Sequence, residues 1–196
     1  GRLKLAKSSA LRLLRTLESA GYIARDTARL YFISSEARTL VPVRFLGRLV
    51  GAATPHLKEL NRVFRETVSL AALFDNHIEV VAVEESPNII RMANIVGRIL
   101  QPNASSLGKA IVAFQAEQRR ERLLRTYGIY SFTPNTITDE MELKREFDRV
   151  RAAGYAEDRA ESVPGGHCFA VPIFAEGQQA LAAMSISLPE SRFAEG

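Results

Sequence analysis

Two stretches near the C-terminal end, "GHCFAVPIF" at 166–174 and "QALAAMSISL" at 179–188, alternate in side-chain character with a period of two. Only an extended strand turns that period into two distinct faces. In the first, Cys168, Ala170 and Pro172 oppose Phe169, Val171 and Ile173; in the second, Ala183, Ser185 and Ser187 oppose Met184, Ile186 and Leu188. Glu176-Gly177 supplies a turn between them. An antiparallel pair of this kind has a large apolar face for a core and a small polar one. The small face could floor a concave site whose hydroxyls hold a small polar ligand. In the alternative reading the serines bond only to a helix or to water.

The stretches before this pair supply the rest of an α+β domain. "TVSLAALF", the turn Asp75-Asn76 and "HIEVVAVEE" read as a hairpin, and "NIIRMANI" reads as a further strand. "ASSLGKAIVAFQ" starts a buried helix with serine at its entrance, "AEQRRERLLRTYG" is a charged amphipathic helix ending at Gly128, and a third helix runs from Thr138 to Gly154. A short strand, 155–159, follows. Further upstream, 35–53 reads as a connecting helix interrupted near Pro42. Thr54-Pro55 reads as the cap and first residue of a new helix that continues through "HLKELNRVFRE".

The front of the chain has a different character. In "LAKSSALRLLRTLESAGYIARD", Ala10, Leu13, Leu14 and Leu17 fall on one side of a helical wheel and Ser8, Arg12, Arg15 and Ser19 on the other, with Leu11 at the border. Lys7 stands in the first turn, where a cation opposes the helix dipole unless a phosphate is near. Gly21 suits a left-handed cap, and "YIARDTARLYFI" reads as two short strands around Asp26-Thr27-Ala28 with Arg25 and Arg29 beside the turn. A helix followed by a basic hairpin is the order of a winged helix-turn-helix. Hydroxyls, a border leucine and two arginines on one face suit a helix laid in a DNA major groove. The leucine stripe calls for cover from helices that would precede Leu5.

Charge follows the same division. Residues 1–50 hold ten Lys/Arg against three acids, a net +7, and the other 146 hold 16 against 19, a net −3. A basic head on a mildly acidic body suits a nucleic-acid-binding module joined to another function. With 196 residues and 46% hydrophobic composition, the chain has enough material for one large or two small domains. No apolar run reaches the ~18 residues of a membrane span, so no membrane partner and a cytoplasmic location are expected. A single cysteine, Cys168, excludes an internal disulfide, and His56, His77 and His167 have no metal-ligand spacing.

Seven stretches in series, "LAKSSALRLLRTLESAGYIARD", "ETVSLAAL", "ASSLGKAIVAF", "TITD", "VRAAGYAED", "GGHCFAVPIF" and "AAMSISLP", resemble the IclR family of bacterial transcriptional regulators nearly end to end. The resemblance implies a partial winged helix-turn-helix over 1–34, a linker helix used in dimerisation over 35–53, and a GAF-like antiparallel-sheet effector domain over 54–196. By that pattern the first DNA-binding helices and a helix after Arg192 are missing, and Ala6 replaces a proline common before Lys-Ser. It also implies effector-binding residues at Asp158, Cys168, Ser185 and Ser187, and at the helix entrance Ser106, Leu107 and Gly108. Ser106 stands where some members have glycine. Free N–H groups at that entrance favour an anion, so a keto acid, sugar acid or similar small carboxylate is the expected effector.

The expected protein is then an effector-responsive repressor or activator on double-stranded operator DNA, a homodimer or homotetramer with recognition helices about 34 Å apart in successive major grooves. Lys7, Ser8, Ser9, Leu11 and Arg12 are its candidate DNA contacts, with Arg15, Arg25 and Arg29 on phosphates. Ligand binding would act on those helices through 35–53. No cofactor, metal or catalytic residue is expected. His167 and Cys168 are adjacent, and neighbouring strand residues face opposite ways, so they cannot form a nucleophilic dyad. Lys109 in "LGKA" lacks the glycines of a P-loop. The alternative is a GAF-like metabolite sensor or protein-interaction module that binds no DNA.

Overall fold

The structure, a computed structural model, describes residues 6–20, 22–25, 30–33, 43–174 and 178–193. It divides into two compact units, 1–42 and 43–196.

In the first unit, α1 (Lys7–Ser19) opens after Ala6, which has extended backbone and no side-chain cap. Ala20 closes it, donating back to the carbonyls of Glu18 and Thr16. β1 (Ile23–Arg25) and β2 (Tyr31–Ile33) then pair antiparallel, with Ala24 opposite Phe32. The expected turn Asp26-Thr27-Ala28, with Arg29, lies outside the described residues, as do Gly21 and 34–42.

The second unit begins with a continuous 22-residue helix, α2 (Val43–Phe64), with Pro55 inside it. Thr54-Pro55 is therefore not a helix start. Proline removes one backbone bond and crowds the carbonyl four residues earlier, a cost of about 3 kcal/mol. Thr54 Oγ1 instead donates to the Val50 carbonyl at 2.7 Å. The compensation lies in the stripe that runs across the proline: Ala53 and Leu57 are buried on Val68, Leu70 and Ala182, with Leu49, Val50 and Leu60 alongside. Each fully buried leucine stabilises by roughly 1.5–3 kcal/mol.

β3 (Thr67–Leu73), β4 (Ile78–Glu84), β5 (Ala156–Arg159), β6 (Gly166–Phe174) and β7 (Ala180–Pro189) form one antiparallel sheet in the order β4-β3-β7-β6-β5. The β6–β7 pairing realises the alternation read from the sequence: Cys168 stands opposite Ser187, Ala170 opposite Ser185 and Pro172 opposite Ala183. The turn at Glu176-Gly177 lies outside the described residues. β3, flanked by β4 and β7, is buried along its whole length.

Three helices complete the unit: α3 (Ser106–Ala113), α4 (Glu117–Tyr127) and α5 (Glu140–Ala153), with a short α6 (Glu190–Phe193) at the end of β7. α5 starts two residues later than its sequence suggests, because Asp139 is its cap and accepts from Glu142 N at 2.8 Å. Gly154, at φ 78°, closes it in the left-handed conformation. The expected strand "NIIRMANI" does not form; 88–96 is bends and coil, with Ile89 95% exposed. Its side chains bond to distant segments instead, Asn88 Nδ2 donating to the Arg65 carbonyl and Asn94 Nδ2 to Ser69 Oγ.

Both sheet faces are covered. α2 lies over the Met184/Ile186 side. On the other side Ala71, Ala156, Ala170 and Ala183 form a small-residue platform beneath Ile111, Leu143, Phe147 and Val150.

Candidate effector pocket

Where the alanine platform ends, the same sheet face turns polar. One row across three strand pairings reads Asp158, Cys168, Ser187, Thr67, and the next reads Ala156, Ala170, Ser185, Ser69. Four of these residues floor a cavity of about 210 Å³. Asp158, Cys168, Ser185 and Ser187 all line it, and so do Ser106 and Leu107 from the entrance of α3. The fold thus brings together six of the seven positions named from the sequence.

The roof is set by how α3 begins. Ser105 is the N-cap: its hydroxyl accepts from Gly108 N at 3.1 Å and donates to the Gln101 carbonyl at 2.8 Å. Its own N–H goes to Gln101, and Lys109 N goes to the Ser105 carbonyl. The N–H groups of Ser106 and Leu107 remain, first-turn donors with no intrahelical acceptor. They give this end of the cavity a positive potential. Gly108, the seventh position, does not line the cavity. A Cβ there would lie 2.6 Å from the Gln101 carbonyl oxygen and from Ser105 Oγ, and 2.9 Å from Pro102 Cα, so its role is to let α3 sit against 101–105.

Ser185 carries the clearest sign of a binding site. It is 2% exposed, and its hydroxyl has no hydrogen-bond partner in the structure. A buried unsatisfied hydroxyl costs on the order of 1–3 kcal/mol, which a bound polar group would recover. Ser69, its neighbour on β3, is by contrast bonded, accepting from Asn94 Nδ2 at 3.0 Å.

Asp158 is less free than its sequence position suggests. Its Oδ1 accepts from Glu161 N at 2.7 Å and Ser162 N at 3.1 Å, and Oδ2 accepts from Ser162 Oγ. The carboxylate thereby holds a turn in which Ala160 sits at φ 56°. Burial pushes its pKa above the ordinary value, against the pull of the Ser162 and Glu161 bonds. Beyond the turn, fully buried Lys109 is clasped by Glu161 at 2.7 and 2.8 Å and by Glu146 at 3.2 Å, and Arg149 holds Glu146 from outside at 2.8 Å. Lys109 is therefore committed to the frame of the site.

Cys168 is partly accessible, and burial followed by the neighbouring Asp158 charge pushes its thiol up to about 12. At neutral pH it is a thiol, able to donate a weak hydrogen bond and poor as a nucleophile. His167 points away from it and stacks on Phe193 at 4.5 Å between ring centroids. Among the described residues no cluster of His, Cys, Asp or Glu could hold a metal ion.

Sequence reading missed the third wall. Residues 92–101, folded over the cavity, contribute Met92, Asn94, Arg98 and Gln101, and Phe132 and Ser162 close the sides. The apolar spacing of "NIIRMANI" suggested a strand, and nothing local in the sequence signals a covering loop.

In the N-terminal unit, Ser8, Arg12 and Arg15 are exposed, Leu11 is 43% exposed and Ser9 half-buried. Lys7 opens α1. Leu13 and Leu17, expected to be covered, stand 51% and 39% exposed. Arg25 is paired with Glu18 at 3.1 Å and lies over the Tyr31 ring at 5.1 Å, so this cation already has partners within the unit. Arg29 lies outside the described residues. No helix among the described residues is long and apolar enough to cross a membrane.

The chain resembles known proteins along its whole length. Residues 47–196 match the family model "Bacterial transcriptional regulator IclR C-terminal". The HTH-type transcriptional regulator KdgR of Dickeya chrysanthemi is 30% identical over 202 residues, covering 99% of this chain and 64% of that protein, so the chain spans just under two thirds of this relative. The crystal structure of Thermotoga maritima IclR superposes with a TM-score of 0.72 at 28% identity, over 97% of this chain and 78% of that one. The inducer-binding domain of a double mutant of the transcription factor PobR from Acinetobacter, in complex with 3-hydroxybenzoic acid, matches with a TM-score of 0.65 at 25% identity, over 72% and 83%. Together with the α+β architecture and the cavity beside α3, these matches establish that the chain belongs to the IclR family of bacterial transcriptional regulators.

Proposed function

We propose that the chain is the effector-sensing part, with a portion of the DNA-binding part, of a cytoplasmic transcriptional regulator that responds to a small carboxylate. The observation that carries this reading is the unpartnered Ser185 hydroxyl in a cavity that is also lined by the first turn of α3, with its free N–H groups. Hydroxyls and a thiol on the floor suit the oxygens of a small polar ligand, and the helix end suits its negative charge. Size agrees. An apolar cavity of about 150 Å³ admits benzene, so about 210 Å³ takes a compact acid no larger than a substituted benzoate. The 3-hydroxybenzoic acid complex of the PobR domain lends support, since it pairs this fold with a small carboxylic acid.

Ser106, Leu107, Asp158, Cys168, Ser185 and Ser187 are the proposed effector contacts, with Gly108 as support for the roof. Asp158 is bonded to its own turn and its pKa is raised, so it tolerates a nearby carboxylate in its protonated form or accepts from a ligand hydroxyl. For DNA, the exposed face of α1 with Ser8, Leu11, Arg12 and Arg15 is the proposed reading surface, joined by Lys7 and Ser9, with Arg25 and Arg29 on phosphates. Residues 1–34, 35–53 and 54–196 are the proposed DNA-binding, linking and sensing segments, in a homodimer or homotetramer. α2 crosses the boundary at 53, so the link and the sensor share one helix.

The test is a thermal-shift screen of small carboxylates on the full chain, followed by calorimetry, because a ligand of the native state raises the melting temperature. The Ser185→Ala/Ser187→Ala double variant should keep its fold and lose at least tenfold in affinity for any acid that stabilises the native chain. Undiminished affinity would mean that the site lies elsewhere. For the DNA half, duplex affinity should fall steeply with added salt, and Arg12→Ala should remove sequence preference.

A further inference from the structure

The pocket wall contributed by 98–101 carries two groups that the site as read so far does not use. Arg98 is the one cation among the residues lining the cavity. Among the described residues its guanidinium has no ion-pair partner, whereas the neighbouring arginines are engaged, Arg91 with Glu85 and Arg192 with Glu66. Its charge is felt at Cys168 on the cavity floor. Gln101 also lines the cavity, and its side-chain oxygen is buried without a hydrogen-bond partner. Ser185 on the sheet is the other lining residue in that condition.

Their backbone is fixed. Val80 N donates to the Arg98 carbonyl at 3.0 Å, Gly97 N to the Val80 carbonyl at 2.8 Å, and Leu100 N to the Ile78 carbonyl at 2.9 Å, so the segment is laced to edge strand β4. The Gln101 carbonyl is bound by Ser105 at the cap of α3. The tied backbone fixes where the exposed Arg98 side chain and the Gln101 amide meet the cavity.

We propose that 98–101 is the specificity wall of the pocket: Arg98 anchors the carboxylate, Gln101 reads a hydroxyl on the same ligand, and the effector is accordingly a compact hydroxy acid. This deepens the effector reading above and rests on it. Arg98 and the N–H groups of Ser106 and Leu107 define the anionic end, and charge-assisted bonds to a carboxylate are the strong ones. A hydroxyl satisfies Gln101 whichever way its amide is turned, since it both donates and accepts. A plain carboxylate leaves that amide unpaired. Sites built to bind a hydroxyl reject the analogue that lacks it strongly, because the buried partner is then left without a bond.

The experiment uses the full chain and matched probes: lactate, glycerate and 4-hydroxybenzoate, the deoxy partners propionate and benzoate, and the neutral partners 1,2-propanediol and 4-hydroxybenzyl alcohol. Affinities are read by calorimetry on wild type, Arg98→Gln, Gln101→Leu and Ser185→Ala. At least one hydroxy acid should bind, its deoxy and neutral partners being at least tenfold weaker. Arg98→Gln should lose roughly ten- to hundredfold for the acid and little for the neutral partner. Gln101→Leu should erase the preference for the hydroxyl while still binding the deoxy acid, an outcome that a misfolded variant cannot give. If acids bind and Ser185→Ala weakens them while both wall variants leave affinity unchanged, this proposal falls and the pocket stands. If Ser185→Ala leaves acid binding untouched as well, the pocket reading itself fails. If none of the hydroxy acids binds, the class assigned here is wrong.

Discussion

Strand β7 presents two opposite solutions within ten residues. On one side Met184 and Ile186 close against α2 with Val68, Leu70 and Leu57, and the space is filled. On the other, Ala183, Ser185 and Ser187 stand under α3, and beyond the alanines the space stays open. The same backbone and hydrogen-bond ladder serve both. What differs is side-chain volume, together with the means by which each layer is held: apolar contact on the α2 side, and on the α3 side apolar contact over the alanines joined by a buried ionic frame around Lys109. Such a cavity is a departure from close packing, and the buried ion pairs help to fix its walls.

The largest effect should come from that frame. Lys109→Met leaves Glu161 and Glu146 facing each other without their shared cation, and removing one partner of a buried pair costs about 3–5 kcal/mol. Urea unfolding should report it as a drop in midpoint. A loss below about 1 kcal/mol would mean that apolar packing alone holds the α3 side. On the filled face, Leu70→Ala, with Leu70 wholly buried, should cost about 2–5 kcal/mol by the same measurement.

A pH effect should follow in rank. The raised pKa of Asp158 means that the folded protein holds its proton more tightly than the unfolded chain does. Its contribution to stability is then fully present below the ordinary carboxyl value and is lost as pH rises through the raised one. Asp158→Asn, which can still accept the backbone bonds but cannot ionise, should flatten that part of the curve of melting temperature against pH. Binding of a carboxylate should weaken over the same rise in wild type. A wild-type slope identical to the variant's would show that Asp158 does not titrate there.

The smallest change belongs to the hollow face. Ser185→Ala removes a hydroxyl that has no partner, so without ligand the stability should shift by less than about 0.5 kcal/mol, or rise. A large loss would mean that the hydroxyl is bonded in solution, and the contrast between the two faces would shrink.

The sheet and its polar face were legible in the sequence because a period of two leaves little freedom: once Ser185 and Ser187 share a face, pairing β6 with β7 sets Cys168 beside Ser187. The helix entrance at Ser105 was readable for a similar reason, a local cap. Two features depended on what lies far away in sequence. Pro55 looks like a helix start until the stripe from Leu49 to Leu60 finds Val68 and Leu70, whose burial outweighs the broken bond. "NIIRMANI" looks like a strand until it proves to be part of a longer segment folded over the cavity, with 97–100 tied to β4, and nothing local in the sequence marks Arg98 and Gln101 as part of that wall. Gly108 shows an intermediate case, recognised by position but working through the space it leaves vacant.

That vacancy has a consequence for mutation. With two oxygens and a backbone carbon crowding position 108, even one methyl group would lift the first turn of α3 away from 101–105, carrying the Ser106 and Leu107 amides with it. The ceiling height of the binding chamber is therefore determined by a hydrogen atom, and a substitution as mild as alanine at this site would retune which molecules fit without touching any group that meets them.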